Sequence, residues 1–151
     1  MVVVISVALC IATIVLDQMT KVLLMNTTFT YIPYVAYNTP TMNDGAAFSM
    51  LSGARIFFLI FSIVVLALVV YLLITDKFSS SKFFKCTLGV LAGGIIGNFI
   101  DRYFIGSVRD FLYIKPLGFV CNIADVAICI ATVMLCVYII FMHKNKKTED
   151  K

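Results

Sequence analysis

The sequence predicts an all-α membrane protein of four transmembrane helices, with a small extracytoplasmic β-platform between helices one and two. The 151 residues are 62% hydrophobic, with a mean hydropathy of +1.03, far above soluble globular domains. Four apolar stretches each approach the ~20 residues that a helix needs to cross the hydrocarbon core of a bilayer. Strand-like patterns lie in the connections. We predict a single membrane-embedded domain over residues 1–151.

Each apolar stretch justifies one helix. Residues 2–16 carry no charge, and the stretch resumes beyond Asp17 and Lys21 as far as Met25. No basic region precedes it and no small-residue cleavage pattern follows it, so we interpret it as a retained helix and not a cleaved signal peptide. The other three stretches are residues 56–74, 83–100 and 126–142.

Lysines set the predicted orientation. Three of them flank the short connection between the second and third helices, namely Lys77, Lys82 and Lys85. Four more lie in a polar tail at about residues 143–151. Because cytoplasmic segments carry an excess of Lys and Arg, both places are predicted to be cytoplasmic, and four spans then put both termini inside. The longer connections, about residues 26–55 and 103–121, lie outside.

The outer connections carry strand patterns. Residues 29–38 (FTYIPYVAYN) alternate aromatic, β-branched and small residues around Pro33, which is typical of short edge strands. Residues 107–114 (SVRDFLYI) are also strand-like, and a turn at residues 116–118 follows them. We expect a small β-platform lying on the membrane.

This orientation brings the polar residues of the helices to one side. Asp17 and Lys21 are four residues apart and share a helix face. They could form an ion pair that neutralises both charges and lets the helix cross the bilayer, they could orient a substrate or a neighbouring loop, or they could do both. The third helix carries glycines in small-xxx-small spacing, which lets helices approach closely in lipid. The polar residues predicted near the outer face are Asp17, Lys21, Asn98, Asp101, Arg102, Asp110, Asn122 and Asp125. Polar groups at membrane depth are costly and usually functional, which predicts a site at the outer interface.

Asp110 and Asp125 are the strongest candidates for chemistry. A structural interpretation leaves Asp125 as a charge suited to the N-terminus of a helix, and Asp110 as a partner of Arg109 or Arg102. A functional interpretation pairs them, because two neighbouring carboxyl groups share one proton. One would activate water as a general base while the other donates a proton, which allows peptide hydrolysis without a metal.

Other chemistries fit the sequence less well. His143 is the only histidine and lies at the cytoplasmic end, so it cannot activate Cys121 or an outer serine. We predict no metal and no cofactor. No basic stripe with interleaved aromatic residues is present, so nucleic acid is not a predicted partner.

Five short motifs occur in the order and spacing of one family. They are DQMTK (17–21), NDGAAFS (43–49), GGIIGNFIDR (93–102), VRDF (108–111) and NIAD (122–125). With them the chain resembles lipoprotein signal peptidase, the signal peptidase II family. The resemblance implies an aspartic endopeptidase of the bacterial plasma membrane. Such an enzyme removes the signal peptide of a prolipoprotein after its cysteine receives diacylglycerol, at the extracytoplasmic face.

The resemblance also implies residue roles and partners. Asp110 and Asp125 correspond to the catalytic pair. Nine further positions correspond to residues that bind substrate or support the pair: Asp17, Lys21, Asn43, Gly45, Gly94, Asn98, Arg102, Asn122 and Ala124. The implied partners are lipidated prolipoproteins and membrane lipids, and we expect a monomer.

This chain departs from the family pattern at three points. Cys121 stands where phenylalanine is usual, and Asp44 adds a carboxyl group. The longer approach to the second motif lets Asn38 compete with Asn43, and we choose Asn43 for its spacing to Gly45.

Two alternatives use the same residues. A small proton-coupled exporter would use Asp17 as its intramembrane carboxyl group, although Lys21 on the same face argues against it. A relative without activity would only bind lipidated helices, although the intact carboxyl pair argues against that.

Overall fold

The fold is a four-helix bundle with a small sheet at one end. The computed structural model describes residues 1–45, 53–75, 78–79 and 81–149, with side chains as far as residue 141. Within these residues the helices are α1 (Val2–Leu24), α2 (Arg55–Thr75), α3 (Lys82–Phe104) and α4 (Ile123–Glu149). All four are long and apolar enough to cross a membrane, α4 over Ile123–Phe141. The four predicted spans are confirmed.

Parts of three predictions lie outside the described residues. They concern residues 46–49 of the second motif, Lys77, and the side chains of the polar tail.

Helix α3 occupies the centre of the bundle, and its glycines allow this position. A Cβ at Gly89 would collide with the Ser6 backbone of α1, and one at Gly93 would lie 2.7 Å from the Cys10 carbonyl oxygen. On the other side of α3, a Cβ at Gly94 would lie 2.8 Å from the carbonyl oxygen of Ala124 in α4. The glycines therefore let α1 and α4 approach the α3 backbone directly, as their spacing predicts.

The sheet combines both predicted outer connections. Its antiparallel strands lie in the order β1-β2-β3-β4. They are β1 (Phe29–Ile32), β2 (Ala36–Asn43), β3 (Val108–Ile114) and β4 (Phe119–Cys121). The platform predicted between α1 and α2 therefore exists, but half of its strands come from the connection between α3 and α4. Such pairing depends on contacts distant in sequence, which local patterns do not reveal.

Two prolines mark irregular points in the sheet. Pro33 lies in the turn between β1 and β2, and not within a strand. Pro40 lies within β2, where the register with β3 shifts between Asn38 and Thr41. Proline has no N–H to donate to a neighbouring strand, so it is confined to edges and irregularities of this kind.

The interior of the bundle is polar near the sheet, whereas the exterior is apolar. Long apolar side chains of α1, α2 and α4 remain exposed, as expected for surfaces that face lipid. Besides Ser6 of α1, the largest fully buried side chains include five polar ones: Lys21, Asn122, Asp17, Asp101 and Asp110. Among the described residues, every buried side-chain nitrogen or oxygen atom has a hydrogen-bond partner. These side chains form the candidate site.

Candidate active site

A cavity of about 430 Å³ lies between the sheet and α4. Its polar end is lined by Asn43, Arg102, Asp110 and Asp125. Its remaining wall is apolar and comes from the β3–β4 hairpin and the second turn of α4, with Ile114, Leu117, Phe119, Ile128 and Ile130. The cavity therefore places two carboxyl groups at the end of an apolar groove.

Asp110 lies in β3 and is 2% exposed. Its Oδ2 accepts a hydrogen bond from Asn43 Nδ2 at 2.9 Å, and its Oδ1 accepts one from Asn122 Nδ2 at 2.6 Å. Burial, followed by the nearby charge of Asp125, raises the pKa of Asp110 to about 6. Both causes disfavour the ionised form and outweigh the two amide hydrogen bonds that stabilise it.

Asp125 lies in the first turn of α4 and forms a reciprocal cap with Asn122. The Asp125 N–H donates to Asn122 Oδ1 at 2.9 Å, and the Asn122 N–H donates to Asp125 Oδ2 at 3.2 Å. The other carboxyl oxygen, Oδ1, accepts from Asn98 Nδ2 at 2.7 Å. The structural interpretation of Asp125 as a helix N-terminal charge therefore holds, and the same carboxyl group lines the cavity.

Lys21 fixes the orientation of the asparagine beneath the carboxyl pair. Its Nζ is fully buried and lies 2.8 Å from Asp17 Oδ2, which confirms the predicted ion pair. It also donates to Asn98 Oδ1 at 3.0 Å. Because this bond occupies the amide oxygen, the Asn98 NH₂ group must point toward Asp125. The buried Lys21–Asp17 pair thereby determines that the NH₂ group of Asn98, and not its amide oxygen, faces the candidate catalytic carboxyl group of Asp125.

Asp17 links the start of α4 to α1. Its Oδ1 accepts from the Ala124 backbone N–H at 2.9 Å. A Cβ at Gly97 would lie 2.6 Å from Asp17 Oδ2 and 3.3 Å from the Ala124 Cβ. Small residues at positions 97 and 124 are therefore required if Asp17 is to reach both Lys21 and α4.

Arg102 and Gly45 both line the cavity and are joined by a hydrogen bond. Arg102 Nη2 donates to the Gly45 carbonyl oxygen at 2.9 Å, and the guanidinium group lies 4.7 Å from the centre of the Phe58 ring. The Gly45 N–H donates to Asn43 Oδ1 at 3.0 Å. Arg102 thus holds the backbone that orients Asn43 toward Asp110.

Asn43 and Asn38 have different surroundings. Asn43 contacts Asp110, whereas Asn38 is buried against the end of α1, where its Nδ2 donates to the Leu24 carbonyl oxygen at 2.9 Å. Of the two asparagines that compete for the motif position, Asn43 is therefore the one beside the candidate pair.

A second group of polar residues surrounds Asp101, whose partners Arg109 and Gln18 were not predicted from the sequence. Arg109 does not pair with Asp110, which corrects that alternative, but lies 2.8 Å from Asp101 with its Nη2. The Arg109 backbone N–H also donates to Asp101 Oδ2 at 2.9 Å, and Nη2 donates to Gln18 Oε1 at 2.7 Å. The sequence signal for this group was Gln18, a polar residue within the apolar stretch that predicts the first helix. This group anchors the strand that carries Asp110 to α1 and α3.

The departures at positions 121 and 44 differ in their surroundings. Cys121 is buried, and its Sγ donates to the Leu112 carbonyl oxygen at 3.5 Å. Burial and the two nearby aspartates raise the pKa of Cys121 to about 12, so the thiol is protonated at neutral pH. Asp44 is exposed.

Comparisons with known proteins agree with this architecture. Two solved structures described as bacterial membrane enzymes match with TM-scores of 0.84 and 0.79, at 31% and 32% identity. The first match covers 93% of this chain and 90% of the other, and the second covers 89% and 91%. The fold and the site thus define the class of protein, which is an enzyme embedded in a bacterial membrane.

The sequence comparisons define its family. A model of signal peptidase (SPase) II matches residues 9–141. Lipoprotein signal peptidases of Staphylococcus aureus strains RF122 and Newman are 31% identical over 153 residues, covering 96% of this chain and 93% of each relative. The chain belongs to the signal peptidase II family, which confirms the resemblance seen in its motifs.

Proposed function

We propose that this protein is an aspartic endopeptidase that removes the signal peptide from diacylglyceryl-modified prolipoproteins. Its family and relatives support the substrate class. The observation that carries the aspartic mechanism is the location of Asp110 and Asp125 together at the polar end of one cavity, each held by asparagine amides. The exporter alternative is not favoured, because Asp17 is bound to Lys21 and to the Ala124 backbone.

The charges around the site favour one shared proton on the pair. Four carboxyl groups and three cationic groups are buried or half-buried here among the described residues: Asp17, Asp101, Asp110, Asp125, Lys21, Arg102 and Arg109. One proton shared by Asp110 and Asp125 leaves three negative charges against three positive charges. A neutral cluster avoids the large desolvation penalty of an unpaired charge, so the singly protonated pair is the favoured resting state.

In this state the two carboxyl groups have different tasks. The ionised member takes a proton from a water molecule, which attacks the carbonyl carbon of the scissile peptide bond. The protonated member donates to the carbonyl oxygen, and that proton later reaches the leaving amine as the bond breaks. Asn43, Asn98 and Asn122 are positioning residues in this scheme, since their amides hold the carboxyl oxygens in place.

The shape of the cavity suits a substrate that combines a peptide with lipid chains. The apolar wall includes Ile128 and Ile130, which lie in the α4 span. At 1.5 Å per residue, Ile130 lies about 10 Å further along α4 than Ile123. Acyl chains or the apolar signal peptide would therefore occupy lipid-facing space while the scissile bond remains beside the carboxyl pair. We propose that this end faces the extracytoplasmic side and that the enzyme acts as a monomer.

The experiment compares purified wild-type protein with Asp110→Asn and Asp125→Asn on a precursor with and without its diacylglyceryl group. We expect cleavage of the lipidated precursor by wild type, and a loss of at least ~10²-fold in both variants. Asp44→Asn is the matched control because Asp44 is an exposed carboxylate beside the site. Near-normal turnover by either dyad variant would overturn the aspartic mechanism. Equal cleavage of the unlipidated precursor would overturn lipid recognition alone.

A further inference from the structure

The turn between β1 and β2 exposes an apolar and aromatic surface. We define the hairpin tip as residues 32–35, which are Ile32, Pro33, Tyr34 and Val35. Tyr34 is 80% exposed, and Ile32 and Val35 are also exposed. Tyr34 does not line the cavity of the candidate active site. The function proposed above therefore does not explain this surface.

Tyr34 also has an unusual backbone conformation for an exposed aromatic residue. Its φ angle is +64°, and among the described residues it is the one non-glycine residue with a positive φ. Turns of this kind favour glycine or asparagine, because a bulky side chain is disfavoured in the left-handed region. The Tyr34 N–H donates to the Tyr37 hydroxyl oxygen at 3.0 Å, which holds this conformation. A strained residue that projects its ring outward suggests that the ring has a partner outside the chain.

The position of the tip identifies that partner. The Lys115 backbone N–H donates to the Val35 carbonyl oxygen at 2.9 Å, so the tip is attached to the β3–β4 turn. Leu117 in that turn is 54% exposed and lines the same cavity as Ile130. Ile130 lies in the α4 span and is 53% exposed, which marks this side of α4 as lipid-facing. The apolar surface of the two turns thus continues the lipid-facing surface of the bundle.

The connection to α1 keeps the sheet near the membrane. Four residues, 25–28, separate α1 from β1, and even a fully extended chain of that length spans only about 14 Å. The Lys115 Nζ lies 5.9 Å from the centre of the Tyr34 ring. An aromatic ring with a polar hydroxyl next to a lysine is the composition that favours the boundary between lipid headgroups and acyl chains.

We propose that the hairpin tip, together with Leu117, inserts into the headgroup–acyl boundary of the bilayer that the four helices cross. Tyr34 is the main anchor and Lys115 faces the lipid phosphates. The insertion holds the sheet against the leaflet beside the groove. This proposal concerns membrane contact alone, and its test does not depend on proteolysis.

The test uses the absence of tryptophan from the chain. Tyr34→Trp introduces a single tryptophan, which can be excited at wavelengths that the tyrosines do not absorb, and it keeps an aromatic residue at the tip. The variant is placed in phosphatidylcholine–phosphatidylglycerol nanodiscs that carry a nitroxide either near the headgroup or near the acyl terminus. We expect blue-shifted emission and stronger quenching by the shallow nitroxide than by the deep one.

Thr39→Trp is the comparison variant, because Thr39 is an exposed residue of the same sheet outside the hairpin tip, in an open groove lined by Thr28, Thr30, Phe29, Tyr37, Tyr113 and Lys115. Its emission should lie further to the red than that of Tyr34→Trp, and both nitroxides should quench it less. Ile32→Trp is the second probe, in case Tyr34→Trp does not fold, because Ile32 belongs to the tip, is exposed and does not line the cavity; it should behave like Tyr34→Trp. Water-like emission at the tip would overturn the proposal. Blue-shifted emission without lipid quenching would also overturn it, since a second copy of the chain or another protein would then cover the tip.

Discussion

Asp110→Asn should remove activity and at the same time change how the stability of the protein depends on pH. The substitution keeps the shape of the side chain and removes its ionisation. In the folded protein the pKa of Asp110 is raised from 3.8 to about 6, first by burial and then by the charge of Asp125. The folded state therefore binds this proton more tightly than the unfolded state does.

The sign of the effect follows from that difference. Between about pH 4 and pH 6 the unfolded chain has lost the proton while the folded protein still holds it. The contribution of Asp110 to stability therefore falls as pH rises through this window, and is constant above it. A shift of about two units corresponds to ~3 kcal/mol. The asparagine side chain of the variant does not ionise, so it avoids this loss of stability at high pH. Its NH₂ group cannot accept a hydrogen bond, however, so one of the two amide groups that donate to Asp110 loses its acceptor, which costs ~1 kcal/mol.

We thus expect Asp110→Asn to be more stable than wild type by ~2 kcal/mol at pH 8, and less stable by ~1 kcal/mol near pH 4. Thermal unfolding of detergent-solubilised protein across this pH range measures the difference, with cleavage of lipidated precursor measured in parallel. Asp44→Asn is the control and should follow the wild-type curve. Asp101 is unsuitable as a control, because it is fully buried between Lys21 and Arg109. If Asp110→Asn loses stability between pH 4 and pH 6 as steeply as wild type, the assigned pKa is wrong.

Three further predictions test other parts of the structure. Cys121→Ser should retain substantial cleavage activity, because a thiol with a pKa of about 12 is not a nucleophile at neutral pH; complete inactivation of folded protein would revive a thiol mechanism. Gly97→Ala should lower the folded yield by disturbing the buried Asp17–Lys21 pair, at a cost of ~3 kcal/mol, whereas Gly118→Ala meets no atom within 4 Å and should lose only ~1 kcal/mol to its positive φ. A topology reporter at the C-terminus should read cytoplasmic and one near Thr41 extracytoplasmic, and an outside C-terminus would contradict the predicted orientation.

Much of the architecture was predictable because it depends on local patterns. A span needs only a sufficient run of apolar residues, so all four helices could be read from composition along the chain. The Asp17–Lys21 pair could be predicted for the same reason, since residues four apart meet on any helix. The glycine spacing of α3 also predicts close packing without naming the partner helix. These features need no knowledge of how distant segments meet.

The contacts that shape the candidate site were decided by tertiary structure. Asn38 and Asn43 both fit the motif by type, and only the pairing of β2 with β3 brings Asn43, and not Asn38, to Asp110. Arg109 is adjacent to Asp110 in sequence, yet consecutive residues of a strand point to opposite faces, so it reaches Asp101 instead.

Gln18 lies 91 residues from Arg109 along the chain, and their 2.7 Å hydrogen bond exists only because α1, α3 and β3 converge. Hydropathy patterns and helical spacing involve residues that are close together in the chain. The sequence alone therefore determined the four spans, the Asp17–Lys21 pair and the close packing of α3. Which polar groups meet inside the bundle depends on how the helices and the sheet close around a buried space that must leave no charge unpaired. Only the tertiary structure decided that.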